Sequence, residues 1–284
     1  MQTIGLENVI YPRLLKQIPD PPGKIYVDGS LFQDELCFAI VGTRKPSSYG
    51  IEAAKYFARS LAEAGFTIVS GLALGIDAVS HQEALNCGKR TIAVLGSGVE
   101  NITPLTNRHL GQKIIENGAI VSEFPGNYPA MKQNFRQRDR LISGLAHGVL
   151  VIEAPERSGT SITASAALEQ GREVFAVPGE IFSRNSIGTN KLIQQGAKLV
   201  CSVDDILEEF LGIPEIVEMV KKQKNLFEKD VINEKILTYF DEPRTQEELC
   251  ELTGLSISEV GSKLTILELK NILKRRQDGR FFRT

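Results

Sequence analysis

The stretch Ile40-Val41-Gly42-Thr43-Arg44-Lys45-Pro46-Ser47-Ser48-Tyr49-Gly50 follows an apolar run from Leu36 and leads into a segment with Ala53, Tyr56, Phe57 and Leu61. That order reads as strand, tight loop and helix. Gly42 would let backbone N–H groups approach a phosphate, the helix N-terminus adds partial positive charge, and Arg44 and Lys45 add full charges. An ordinary turn with two solvated cations would carry the same letters. The glycines match neither G-x-G-x-x-G nor a P-loop, so the motif indicates neither a dinucleotide nor a triphosphate, and the phosphates of a polymer fit as well.

The same unit recurs along the chain. Short apolar strands are expected near Cys37 to Val41, Thr67 to Ser70, Thr91 to Leu95, Ala119 to Ser122, Gly148 to Ile152, Val174 to Val177 and Lys198 to Val200. Strands alternating with helices predict an α/β domain over residues 36–212 with a doubly wound, mostly parallel sheet. Ligands of such sheets bind beyond the carboxyl ends of the strands. The loops there are Gly42 to Arg44, Ser70 to Ala73, Gly96-Ser97-Gly98, Glu123 to Phe135, Glu153 to Thr163 and Pro178-Gly179-Glu180. Residues 1–35, with a strand-like patch at Ile25 to Val27, read as a lead-in packing on this domain. Residues 213–228 read as a linker. Over 229–284, three short helices (Asp230 to Phe240; one capped by Thr245 with Glu248; one capped by Ser256) precede Ile272 to Lys274, a turn at Asp278-Gly279 and Arg280 to Phe282, which suggests a small winged helix-turn-helix.

Composition narrows the function. A 24% charged, 42% hydrophobic chain is globular, and a formal net charge of -2 gives no global attraction to nucleic acid, so a polyanion site needs local basic clustering. Cys37, Cys87, Cys201 and Cys250 are scattered, without C-x-x-C or a nearby His at ligand spacing. The expectation is therefore no disulfide framework, no metal and a reducing cytoplasm. No leader and no membrane-length apolar run is legible.

Lys132-Gln133-Asn134-Phe135-Arg136-Gln137-Arg138-Asp139-Arg140, read as a loop, sets four cations around one aromatic. Sequence-tolerant binding of single strands uses cations for phosphates and a ring for an unpaired base. The alternative is that Phe135 anchors the loop while the arginines pair with Glu123 and Glu153. Ser158-Gly159-Thr160 offers amides and hydroxyls at a helix N-terminus, also suited to an anion. It is similar to the P-G-G-x-G-T-x-x-E loop of lysine-decarboxylase-like phosphoribohydrolases, but lacks the paired glycines and the acidic residue. Asp77 is placed to cap its helix or orient backbone amides. His81, His109 and His147 read as packing residues, and Glu123, Glu153 and Glu180 as groups that orient cations. No catalytic pair is legible.

Together, Gly42-Thr43-Arg44 with Tyr49-Gly50, Ser70 to Ala73 with Gly75-Ile76-Asp77 and His81, Thr91 to Gly98, Ser122-Glu123, Phe135 with Arg138 and Arg140, Ser158-Gly159-Thr160, Gly171-Arg172, Ala176 to Gly179, and Leu192-Ile193 with Gly196-Ala197 resemble the DprA/Smf family of DNA-processing proteins. The resemblance covers about residues 10–210. It implies an extended Rossmann-like domain that binds single-stranded DNA without catalysis or cofactor, forms a homodimer through that domain, and helps load the RecA recombinase during natural transformation. By motif, Arg44 and Lys132 would grip phosphates and Phe135 would stack on a base, while Ser70, Gly71, Ser97, Gly159 and Thr160 would line the pocket. The full candidate DNA-binding set adds Gly42, Thr43, Lys45, Gly96, Arg136, Arg138, Arg140 and Ser158. Three positions depart from the family pattern: Leu74 stands for Arg, Arg136 for Pro and Asp139 for Asn. Two rival readings are a nucleotide-processing enzyme using the same pocket and a regulator whose winged helix binds duplex DNA.

Overall fold

The computed structural model describes residues 1–156, 158–219, 236–269, 272–276 and 279–283. Contacts divide the chain into two compact units, Met1–Met219 and Val220–Thr284. The first is built on a nine-stranded sheet of order β1-β2-β6-β5-β4-β3-β7-β8-β9. β3 (Cys37–Val41), β4 (Thr67–Ser70), β5 (Thr91–Leu95), β6 (Ala119–Ser122), β7 (Gly148–Val151), β8 (Glu173–Ala176) and β9 (Lys198–Leu199) run parallel, at the places the apolar runs predict. Every residue of β3 to β7 is buried, because helices cover both faces.

The lead-in is more than packing. β1 (Gln2–Gly5) pairs antiparallel with β2 (Lys24–Gly29), and β2 pairs antiparallel with β6, so residues 1–35 extend the same sheet. The strand-like patch at Ile25 to Val27 is the centre of β2. β1 escapes a sequence reading because four residues with one buried side chain, Ile4, show too little alternation.

Between the strands run α1 (Arg13–Lys16), α2 (Ser48–Glu63), α3 (Ile76–Asn86), α4 (Arg108–Asn117), α5 (Lys132–Leu145), α6 (Thr160–Glu169) and α7 (Ile187–Gln194), and α8 (Val203–Leu207) follows β9. One core joins Leu15, Leu141, Ile142, Leu145, Ala164 and Ala167 from α1, α5 and α6 to Val41, Val69, Val94 and Val151 of the sheet. A second joins Leu72, Ile102 and Ile114 to Ala93, Leu95 and Ile120. At the lower end Phe38 packs on Phe66, Phe175 and Phe210, with ring centroids 5.5 to 6.1 Å away. The chain winds from β3 to β6 in one direction, then crosses back to place β7 on the other side of β3. The loops after β3 and β7 therefore diverge, which opens a crevice at this switch point.

In the second unit, helices Gln246–Thr253 and Ile257–Leu269 precede an antiparallel pair, Leu273–Arg275 with Phe281–Arg283. Thr245 and Glu248 form a reciprocal capping box, and the Ser256 hydroxyl accepts from Glu259 N–H at 3.4 Å. Ile236, Phe240, Leu249, Val260, Leu264, Leu267, Leu273 and Phe281 form its core. Most of the helix expected from Asp230 to Phe240 and Asp278 of the expected turn lie outside the described residues.

Candidate nucleic-acid interface

The crevice at the switch point has a volume of about 370 Å³ and is lined by Gly42, Thr43, Arg44, Ala73, Asp77, Arg138, Asp139, Pro155, Ser158, Gly159, Thr160 and Thr163, among others. Loops after β3 and β7 thus meet a side of α5 that the sequence placed in a loop. Residues from Lys132 onward are helical, with no side-chain cap and no acidic residue in the first turn. Lys132 therefore adds its charge to an electropositive helix N-terminus, a stronger attraction for an anion than a loop offers.

The N-terminus of α2 tells the opposite story. Glu153, 2% exposed, accepts Ser47 N–H through Oε2 (2.9 Å), the Ser47 hydroxyl through Oε1 and Asn185 Nδ2 (3.2 Å). Ser47 Oγ in turn accepts from Gly50 N–H at 3.1 Å. A protein carboxylate already holds the position that the sequence reserved for a phosphate. Glu153 thus orients a hydroxyl and amides rather than a cation. Arg44 and Lys45, both exposed, are the cations this loop presents to solvent.

The glycines make room for neighbours. A Cβ on Gly42 would lie 2.6 Å from Ile76, on Gly71 2.4 Å from the Arg138 guanidinium, and on Gly96 3.0 Å from the Phe135 ring. Gly75, at φ +81°, takes a left-handed turn where a Cβ would meet Thr43 O at 2.4 Å. Leu72 is also left-handed, at φ 57°, and is pinned because Asn107 Nδ2 donates to Leu72 O (2.9 Å) and Ala73 O (3.2 Å). Asn107 lies 35 residues away in sequence, beyond the reach of any local signal.

Several expected contacts face inward. Ser70 and Ser97 are fully buried; their hydroxyls donate to Ile40 O (2.6 Å) and Asn101 O (2.7 Å). Arg138 is 5% exposed, and its guanidinium donates to Gly71 O and Val94 O, both at 2.6 Å, and to Asp139 Oδ1 at 3.0 Å. It buttresses the β4 and β5 loops beneath the crevice. Arg140 pairs with Glu123 and donates to Asp20 O, so it ties α5 to the lead-in. The alternative reading of this stretch holds for Arg140, as a pair with Glu123. Ser70, Ser97, Arg138 and Arg140 act on the site through the loops they hold.

The exposed groups converge differently. Phe135, half-buried, has the Arg44 guanidinium 5.6 Å and the Arg138 guanidinium 5.8 Å from its ring centroid, with exposed Lys132 and Arg136 on the same helix. Thr43 is buried at the crevice wall with its N–H donated to Glu153 O (2.8 Å). Gly159 is exposed, and the buried Ser158 hydroxyl has no partner among the described residues. Beneath lie two carboxylates. Burial pushes the Asp139 carboxyl up to about 6 despite the lowering effect of Arg138, and burial also raises Asp77, which accepts Ala73 N–H at 3.3 Å. His81 is fully buried in α3, bonded to Thr91 Oγ1 at 2.6 Å, and burial lowers it to about 3, so it stays neutral.

Comparison with known proteins matches residues 2–211 to the family described as DNA recombination-mediator protein A. DNA processing protein DprA of Bacillus subtilis is 42% identical over 211 residues, covering 74% of this chain and 71% of the relative. Protein Smf of Escherichia coli is 41% identical over 276 residues, 94% of this chain and 73% of the relative. Among solved structures, DprA of Streptococcus pneumoniae superposes with a TM-score of 0.70 at 39% identity, covering 73% of this chain and 74% of that one. DNA processing protein A of Helicobacter pylori, described for its single-stranded DNA binding mode, gives 0.65 at 32% identity and covers 75% and 97%. With an α/β sheet of this order, a crevice at its switch point and these relatives, the chain belongs to the DprA/Smf family of DNA recombination mediators.

Proposed function

We propose that this chain binds single-stranded DNA across the carboxyl ends of its strands, without a chemical step, and delivers it to RecA as a homodimer formed through the first unit. The observation that carries this reading is Phe135. Its half-exposed ring lies beside Arg44 at the rim of a crevice, next to the uncapped, Lys132-bearing start of α5. A ring for a base beside cations for the backbone is what sequence-tolerant binding needs. The single-stranded DNA binding described for the Helicobacter pylori relative supports the ligand, and membership of a recombination-mediator family supports the RecA partner. The described residues of the second unit include the helices Gln246–Thr253 and Ile257–Leu269 and an antiparallel strand pair bearing exposed Lys274 and Arg275, with exposed Arg276 following, which fits a winged helix. Fluorescence anisotropy with single-stranded and duplex oligonucleotides of equal length tests the proposal. Tighter, salt-dependent binding to the single strand is expected; preferential duplex binding would transfer the function to the second unit.

Phe135→Ala should weaken single-strand binding by about 1–3 kcal/mol, the worth of one base stack, and leave the salt dependence unchanged because no phosphate contact is lost. Leu74 is 46% exposed, and the adjoining Gly75 closely approaches the Arg44 backbone. Leu74→Arg should therefore tighten binding and steepen the dependence of log K on log salt by about 0.7, the single-strand value for one phosphate.

Asp139 makes binding pH-dependent. Its folded pKa of about 6 exceeds its ordinary 3.8, so between those values the folded state holds more protons, and this group's contribution to stability falls as pH rises. As pH falls through about 6 the Asp139 carboxylate loses its negative charge beside the cations of the crevice. Affinity should rise on acidification. Asp139→Asn should tighten binding at pH 7.5 and flatten the profile between pH 5 and 7; an unaltered profile in that variant would remove Asp139 as its cause.

A further inference from the structure

The loop at the carboxyl end of β8 has no part in the crevice, yet it presents Ile181 at 78% and Phe182 at 92% exposure. It is held at both feet. Gly179 N–H donates to Asn190 Oδ1 (3.2 Å) and Asn190 Nδ2 donates back to Gly179 O (3.0 Å). At the other foot Ala154 N–H donates to Asn185 O (2.7 Å), and Asn185 Nδ2 donates to Lys45 O (3.0 Å). Between them Ser183 N–H to Glu180 O and Ser186 N–H to Ser183 O, both 3.0 Å, form successive turns. A segment tied down this firmly and still tipped by two large apolar side chains marks a contact surface.

The surroundings select the occupant. Arg184 is exposed and has no ion pair among the described residues, Lys45 lies across the Asn185 bond, and Glu180 is the one acid in the loop. Tyr49, half-exposed, donates its hydroxyl to Pro178 O at 2.8 Å, which sets a second ring at the base. An aromatic tip among cations repeats the combination at Phe135. In the sheet order β5-β4-β3-β7-β8, this loop lies four strands from the Gly96 loop against which Phe135 rests, about 19 Å at about 4.8 Å per strand. The Arg44 and Lys45 loop follows β3, midway between.

We infer that Phe182 is a second base-stacking contact, which a single strand reaches after Phe135 and the Arg44 and Lys45 loop, with Arg184 on the adjoining phosphate. This deepens the single-strand reading and rests on it. The test compares anisotropy of labelled oligo(dT) of about three nucleotides, too short to bridge Phe135 and Phe182, and of about twenty, beyond one single-strand site of about 4–16 nucleotides. Phe182→Ala should abolish most of the affinity gained on lengthening, about tenfold for one lost stack, and Phe182→Tyr should restore it. Two results would overturn the inference: a normal length dependence in Phe182→Ala, or a changed sedimentation coefficient of that variant without DNA, which would make the loop a protein contact. If Arg44→Ala and Phe135→Ala also bind like the parent, the crevice reading itself fails; if they weaken while Phe182→Ala does not, only this second contact falls.

Discussion

Arg138→Met is expected to destabilise the first unit by about 3–5 kcal/mol, the cost of breaking a buried charge cluster by removing one partner. The guanidinium is 5% exposed and is bonded to Gly71 O, Val94 O and Asp139. Methionine fills much of the volume but donates nothing, so two carbonyls and a carboxylate are left unpaired in a poorly solvated place. Asp77, whose charge Arg138 also favours, should become harder to ionise. Urea denaturation followed by circular dichroism measures the effect as a fall in midpoint at constant slope. A loss under about 1 kcal/mol, the scale of an exposed ion pair, would mean that Arg138 is no buttress. If DNA affinity alone fell, Arg138 would belong with the phosphate ligands.

Arg44→Ala should have the largest effect on binding. A charge-assisted hydrogen bond contributes about 1.5–3 kcal/mol, so a loss of roughly ten- to a hundredfold in affinity for a single strand is expected. Because Arg44 also lies 5.6 Å from the Phe135 ring, its removal loosens the stacking platform. The salt slope should drop by about 0.7, in contrast with Phe135→Ala, which leaves it unchanged. Stability should hardly move, since Arg44 is exposed. Anisotropy at two salt concentrations separates the two variants. Equal affinity of Arg44→Ala and the parent would remove the loop after β3 from the interface.

Local patterns in the sequence determined the strands β3 to β9, their parallel arrangement and the edge of the sheet where loops converge. β3 to β7 are short apolar runs, and burial on both faces demands that composition. Phe135, Arg44 and Lys132 were legible for a similar reason: an aromatic among cations is unusual enough to stand out without coordinates. Tertiary structure alone decided what each charge does. Glu153 reaches Ser47 from 106 residues away and occupies the helix N-terminus that the local letters reserved for a phosphate. Arg138 is buried because residues from Lys132 onward are helical and turn that side chain beneath Gly71. Whether a cation meets solvent or a buried carbonyl depends on which distant backbone packs against it, and no short-range pattern encodes that pairing.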